Sequence, residues 1–288
     1  MPRRIDRIIT AHRQEEGGGF IVRRPFPTVG LDLVDPFLLL DEMGPIDYGP
    51  GEALGAPDHP HRGFETVTYV LQGTVEHHDS AGHQGTTGPG AVQWMTAGAG
   101  VVHREMPAVD LRELGGRMHG FQLWVNLPRR EKMIAPRYQE VPAARIPEAT
   151  TPDGLAHVRV IAGEALGVQA VIETRTPIMY QHWTLQPGAE VTQSVPAMMD
   201  GFVYVFGGEL TAGGTPLRDG QMGMLSSGTR VTLSVPQSAR VPATCLLIAG
   251  EPLGEPVARY GPFVMNTRDE LVQAFDDYRQ GKMGVIRR

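Results

Sequence analysis

The sequence predicts an all-β protein, a sandwich or a barrel, and three observations carry that expectation. Short apolar runs recur along the 288 residues: GFIVRRPF, FETVTYVLQG, AVQWMTAG, GFQLWVNLP, HVRVIAG, IMYQHWTLQP, GFVYVFGGEL and RVTLSVP. Most are bounded by Gly, Pro, Asp or Ser, the spacing expected of many short strands joined by turns. The 36 glycines and 24 prolines make up about a fifth of the chain, against ~12% in average usage, without a collagen repeat or the polarity of a disordered chain. Only one helix is legible, close to the C-terminus.

Taken in order, the opening MPRRIDRIIT has basic residues but no apolar stretch behind them. No later apolar run approaches the ~20 residues that span a bilayer, so the reading is a soluble, unexported, cytoplasmic protein without a membrane role. A net charge of -6 and a pI near 5.9 lack the clustered Lys and Arg that phosphate neutralisation needs, so direct nucleic-acid binding is not expected. In the first half VLQG around Gly73 is followed by GPG at 88–90; in the second, VFGG around Gly207 is followed by RDGQMG at 218–223. Duplication accounts for the rhyme, although glycine-rich hairpins resemble one another in any β protein. The stretch from Leu127 to Asp153 is rich in Pro and charge and has no periodicity, which marks a traverse between domains. The expected division is a first domain at 1–135, a linker at 136–150 and a second domain at 151–288. Cys245, the single cysteine, excludes an internal disulfide; VPATCLLIAG reads as a buried strand in which the thiol is a small apolar group. Last comes the helix, with Thr267 as cap, Glu270 at the reciprocal capping position, Leu271, Phe275 and Tyr278 on one face, and Gly281 beyond. Its expected role is structural, closing a barrel or packing across the domains.

The strongest chemical signal is His59-Pro60-His61. Residues two apart on a strand share a face, so both imidazoles can reach one ion, and Pro60 favours the extended backbone this requires. A second same-face pair, His103 and Glu105 in GVVHREMP, follows 42 positions after His61. Three imidazoles and a carboxylate suit Fe, Ni, Cu, Mn or Zn, and the lack of a thiolate argues against a closed structural zinc site. Four ligands on an octahedral ion leave two positions for O₂, water or substrate. His77, His78, Asp79, Ser80 and His83 suggest a Ser-His-Asp set, but groups this close in sequence rarely converge as a triad must. They read better as a hairpin with one of His77 or His78 inward. The glycines at 17–19, 85–90 and 98–100 lack the strand-to-helix context of phosphate loops and read as turns. His182 beside Trp183 reads as a satisfied core or surface group.

The segments DHPHRGFETVTYVLQG and HHDSAGHQGTTGPGAVQWMTAGAGVVHREMP resemble the pirin family of the cupin superfamily, as do DPFLLLDEMGP at 35–45 and GPFVMNTRDEL at 261–271. The resemblance implies two tandem cupin-type β-barrels (double-stranded β-helix, or jelly roll) with a short C-terminal helix. It places one mononuclear divalent metal, iron foremost, in the first barrel on His59, His61, His103 and Glu105. Other cupins take the carboxylate soon after the H-x-H pair, which would be Glu65; Glu65 shares a face with His61 if the strand is regular, but Gly63 can bulge it, so Glu65 is read as supporting structure. Gln193 and Val195 stand where a second H-x-H would, so no second metal is expected.

An open site of this kind brings O₂ and an oxygen-bearing organic ligand onto one ion, and the resemblance implies a dioxygenase that opens flavonols such as quercetin. Glu105 would then be ligand and catalytic base, with another enol or polyphenol as a possible natural substrate. The resemblance also implies an alternative, an iron-binding, redox-responsive regulator acting through partner proteins, whether transcriptional co-regulator or modulator of a metabolic enzyme. A basic patch built from Arg62, Arg104, Arg112 and Arg117 would favour it.

Overall fold

The structure, a computed structural model, describes residues 1–16 and 18–286; Gly17, the first of the turn expected at 17–19, lies outside them. The chain divides into two compact units, one of Met1–His12, Thr28–Asp35 and Ala144–Pro252, the other of Arg13–Pro27, Pro36–Ala143 and Leu253–Arg288. No helix of the described residues is long and apolar enough to cross a membrane.

Strands of the first half are β1 (Ile5–Thr10), β2 (His12–Glu16), β3 (Phe20–Phe26), β4 (Phe37–Tyr48), β5 (Ala56–His61), β6 (Phe64–Gln72), β7 (Val75–Asp79), β8 (Gln84–Thr87), β9 (Val92–Thr96) and β10 (Val101–Pro107). A short helix, α1 (Val109–Leu114), precedes β11 (Gly116–Asn126) and β12 (Arg137–Val141). In the histidine-bearing unit, β12-β9-β6-β11-β4-β3-β2 form a seven-stranded sheet and β5-β10-β7-β8 a four-stranded one. Burial alternates along VEHHD of β7 with period two, so Val75, His77 and Asp79 point inward and Glu76 and His78 do not. The inner faces meet where Thr68 of β6 and Gln122 of β11 reach Glu105 of β10.

The other unit repeats the plan. Its strands are β13 (Glu148–Thr150), β14 (Ala156–Ala162), β15 (Glu164–Ala165), β16 (Val168–Gln169), β17 (Ile178–Leu185), β18 (Glu190–Ser194), β19 (Asp200–Gly207), β20 (Glu209–Ala212), β21 (Thr215–Arg218), β22 (Gln221–Leu225), β23 (Arg230–Ser234) and β24 (Ala243–Gly250). The sheets run β1-β22-β19-β24-β17-β14-β13 and β18-β23-β20-β21. Both units thus pair seven strands with four in the same order of connection, which is the duplication that the glycine rhyme suggested. Trp183, Val203, Val205, Leu233, Cys245 and Leu247 are among its buried core. Burial pushes the Cys245 thiol well above its ordinary range, in keeping with its role as an apolar group.

The contiguous division expected from the sequence differs from this partition at both ends. β1 runs antiparallel to β22, Ile9 opposite Met222, and so takes in the second unit the sheet position that β12 holds in the first. Arg3 secures the N-terminal segment there, its buried guanidinium donating to the carbonyls of Ser226, Pro196 and Met199. The physical reason is edge protection: an open strand edge is covered most readily by another strand, whatever its place in the chain.

The C-terminal segment, conversely, belongs to the histidine-bearing unit. Its strands β25 (Ala258–Tyr260) and β26 (Phe263–Met265) lead into α2 (Arg268–Arg279). The expected capping box is present: Thr267 Oγ1 accepts from the Glu270 N–H, and Glu270 Oε2 accepts from the Thr267 N–H. Leu271 and Ala274 pack with Phe263, Met265 and Val102, and Phe275 packs against that cluster.

Candidate metal centre

The H-x-H strand and the H-x-E strand are neighbours. β10 runs antiparallel to β5 with His103 opposite His59 and Val101 opposite His61, so three imidazoles share the inner face of the four-stranded sheet. Ring centroids lie 4.4 Å apart for His59 and His103, 4.7 Å for His59 and His61, and 4.9 Å for His61 and His103. One ring nitrogen from each falls in a group whose atoms all lie within 4.8 Å of one another, and this group could hold a metal ion. The register slips between His103 and Glu105, which face His59 and Ala56. The extra residue sits in β5 at Pro57–Asp58, because β10 keeps regular register with β7.

The nitrogens of this group could serve as ligands. Nδ1 of His59 is 2.7 Å from the Pro57 carbonyl and Nδ1 of His61 is 3.4 Å from that of Pro262, which leaves each Nε2 as the free face. Those two Nε2 atoms are 3.1 Å apart; two nitrogens each about 2.1 Å from one ion at a right angle would be about 3.0 Å apart. His103 is buried, and neither of its ring nitrogens has a hydrogen-bond partner. An orphaned polar atom in a core is uncommon and calls for an explanation; a cation between the rings supplies one. Burial, then the neighbouring imidazoles, hold His103 well below the usual histidine range. Burial and His59 do the same to His61 against an upward pull from the Pro262 carbonyl. Both shifts favour the neutral form, which carries a lone pair for a metal.

Glu105 does not belong to the group of converging nitrogens. Its Oε1 accepts from Thr68 Oγ1 and its Oε2 from Gln122 Nε2, each at 2.9 Å, and it lines the same cavity as His59 and His61. Glu65 is placed elsewhere. The chain turns between β5 and β6 at Gly63, whose φ of +87° and closeness to the Val264 carbonyl leave no room for a side chain. Glu65 consequently stands on the seven-stranded sheet, opposite Val125 and Thr96, with its Oε1 accepting from Thr96 Oγ1 at 2.5 Å. His61 and Glu65 do not share a strand, which removes the face they would have had in common.

The cavity beside the histidines measures about 500 Å³. Leu39, Ile46, Leu54 and Met118 give it apolar walls, and Trp124 lines it with its ring 5.2 Å from that of His61. At its polar margin Arg24 grips Asp41 with two hydrogen bonds, of 2.6 and 2.5 Å. Burial lifts the Asp41 carboxyl to about 6 against the pull of that guanidinium. Arg259 lies over the Trp124 ring, 5.0 Å from its centroid. Sequence reasoning missed Thr68, Gln122, Trp124 and the Arg24–Asp41 pair. The alternation in GFQLWVNLP puts Gln122 and Trp124 on one face, but nothing local says which face looks at the histidines.

The remaining candidates resolve into supporting roles. His77 points inward, buried, with Nδ1 2.5 Å from Gln93 Nε2 and its ring stacked on Tyr138. Asp79 closes the hairpin by accepting from the N–H groups of Ala81 and His83 and pairing with the His83 ring at 2.9 Å. Ser80 donates to the Met283 carbonyl instead, so no Ser-His-Asp triad forms. In the other barrel β18 occupies the place of β5; Val191, Val195, Val231 and Leu233 fill that face, and Gln193 donates to the Glu164 carbonyl. The His182 ring lies against Phe206. Of the four arginines, Arg62 is buried on Asp277 at 2.9 Å, Arg117 meets Asp47 at 3.0 Å and Arg112 approaches Glu76 at 3.9 Å.

Comparison with known proteins agrees with this architecture. The family model described as Pirin matches residues 19–125, and that described as Pirin C-terminal cupin domain matches 180–284. A pirin-like protein of Solanum lycopersicum is 46% identical over 291 residues, covering 99% of this chain and 94% of its own length. Human pirin is 41% identical over 290 residues, covering 99% and 95%. A crystal structure of quercetin 2,3-dioxygenase from Acinetobacter baumannii superposes with a TM-score of 0.93 at 38% identity over 100% of both chains. Likeness of this extent, on a fold of two cupin barrels with the histidine trio in the first, makes the chain a member of the pirin family.

Proposed function

We propose that this protein is a metal-dependent dioxygenase that opens flavonols such as quercetin with O₂. In this reading His59, His61, His103 and Glu105 hold one divalent transition metal, iron foremost, with Ni, Cu, Mn and Zn also suited to the donor set. The observation that carries the reading is the buried His103 imidazole, without a hydrogen-bond partner on either nitrogen, grouped with His59 and His61, which line a cavity of about 500 Å³. That volume falls in the ~300–1,000 Å³ range of small-molecule sites. The likeness to quercetin 2,3-dioxygenase from Acinetobacter baumannii supports the substrate class.

When bound, such a metal supplies Lewis-acid and redox chemistry to O₂ and to an oxygen-bearing organic ligand. The chain's own residues do the rest. The apolar walls and Trp124 receive a flat aromatic body and exclude water from the reacting face. Glu105, at the cavity edge, takes the proton of the flavonol 3-hydroxyl. Thr68 and Gln122, each bonded to one of its oxygens, hold it where that proton is delivered.

The test is O₂ uptake with flavonol loss, followed by absorbance, on protein loaded in turn with Fe(II), Ni(II), Mn(II), Cu(II) and Zn(II). Turnover with at least one ion is expected, and His61→Ala should abolish it together with stoichiometric metal. A filled site that turns over no flavonol with any ion would overturn the dioxygenase reading.

A further inference from the structure

Glu105 is a candidate ligand held by side chains from two other strands. Thr68 and Gln122 face each other across β6 and β11, and both reach over the barrel interior to a carboxylate on the opposing sheet, at 2.9 Å each. A glutamine amide offers a donor at one end and an acceptor at the other, and rotation by half a turn exchanges them. Here one neighbour decides the matter. The indole N–H of Trp124, two residues along the same face of β11, donates to Gln122 Oε1 at 3.1 Å. An indole can only donate, so the Gln122 oxygen must face Trp124 and its amino group must face Glu105. A flipped amide would set oxygen against oxygen and nitrogen against nitrogen, losing both bonds. Trp124 is in turn held by its ring contacts with Phe64 at 4.3 Å and His61 at 5.2 Å, and by Arg259 above it.

We propose that Gln122, locked in one amide orientation by Trp124, is a positioning residue that fixes the Glu105 carboxylate toward the metal and the substrate. The inference rests on the metal-dependent reading above and gives Trp124 two tasks, cavity wall and orientational lock. The other barrel holds an internal comparison. Trp183 Nε1 donates to Gln181 Oε1 at 2.9 Å, again two residues apart on one strand, but there the Gln181 amino group donates to the Glu164 backbone carbonyl. The same strand device serves a structural acceptor in one barrel and a carboxylate beside three imidazoles in the other.

The experiment uses the full chain loaded with Co(II), whose visible ligand-field bands report the geometry of its ligands without any turnover, alongside flavonol kinetics with the competent ion. Variants are Glu105→Gln as reference, Gln122→Leu, Trp124→Phe, which keeps the aromatic wall but deletes the N–H, and Trp183→Phe as control for the same bond elsewhere. Expected are band shifts in Gln122→Leu and Trp124→Phe in the direction of Glu105→Gln. A loss of about 10–100-fold in kcat or metal affinity should accompany them, as for other residues that orient metal ligands. Trp183→Phe should change thermal stability and leave the bands in place. Should Gln122→Leu fail to fold, Trp124→Phe carries the test. Unchanged bands and kcat in the folded Gln122 and Trp124 variants would overturn the proposal, as would a Glu105→Gln spectrum identical to wild type. Shifted bands in a protein that turns over no flavonol would uphold the positioning role and sink the dioxygenase reading, so the two fail separately.

Discussion

Glu65 and Glu105 are the same residue type, both buried and near the same histidines in sequence or space, and the structure gives them different tasks. Glu65 projects from the seven-stranded sheet and bonds Thr96, whereas Glu105 looks into the cavity beside His59. Replacing Glu65 by Gln weakens a buried hydrogen bond that involves a carboxylate, a change of about 1–3 kcal/mol in stability, and leaves the imidazoles untouched. The expected result is a lower Tm with full metal stoichiometry by elemental analysis. Loss of metal from Glu65→Gln would restore it as a ligand in place of Glu105.

At the scale of elements, the loop that follows the H-P-H strand is tied to the C-terminal helix. Arg62 donates to the Ala99 carbonyl at 2.7 Å and to Asp277 of α2 at 2.9 Å. Lys132, buried two loops away, donates to the carbonyls of Gly63 and Val264 and to Asn126. Lys282, then Arg62 and Gln273, hold the Asp277 carboxyl well below the usual carboxylate range. A depressed carboxyl contributes stability that is present above its unfolded pKa, about 3.9, and is lost as pH falls through the lower folded value. Asp277→Asn should therefore lower Tm at pH 7, with the gap to wild type narrowing as pH drops below about 4. A gap of equal size at pH 7 and pH 2 would show that the carboxylate charge is not what ties α2 to the loop.

For the whole molecule, the exchange of chain ends sets what a truncation does. Residues 1–10 supply β1 and the Arg3 anchor to one unit, while His59, His61 and His103 belong to the other. Deleting residues 1–10 leaves β22 with an open edge, a site for aggregation. The expected outcome is a lower Tm and self-association in light scattering, with the Co(II) bands of the metal centre intact. Loss of those bands would mean that the N-terminal strand supports the histidine site.

The sequence by itself determined the all-β class, the helix with its Thr267–Glu270 cap, and the three histidines, because these rest on short-range rules: turn residues between strands, a capping box four residues long, and the two-residue repeat that puts His59 and His61 on one face. It also pointed to His77 or His78 as the inward histidine of a hairpin, and β7 chose His77. Tertiary structure alone decided matters that depend on which strands become neighbours. Gly63 ends β5 because the Val264 carbonyl, 201 positions later in the chain, leaves no space for a Cβ, and that turn separates Glu65 from His61. Gln122 and Trp124 acquire their place because β11 lies beside β6 across from β10. β1 leaves its own half for β22 because an unpaired edge accepts any strand that reaches it. Local spacing specifies which side chains share a face; only the folded chain specifies what that face looks at.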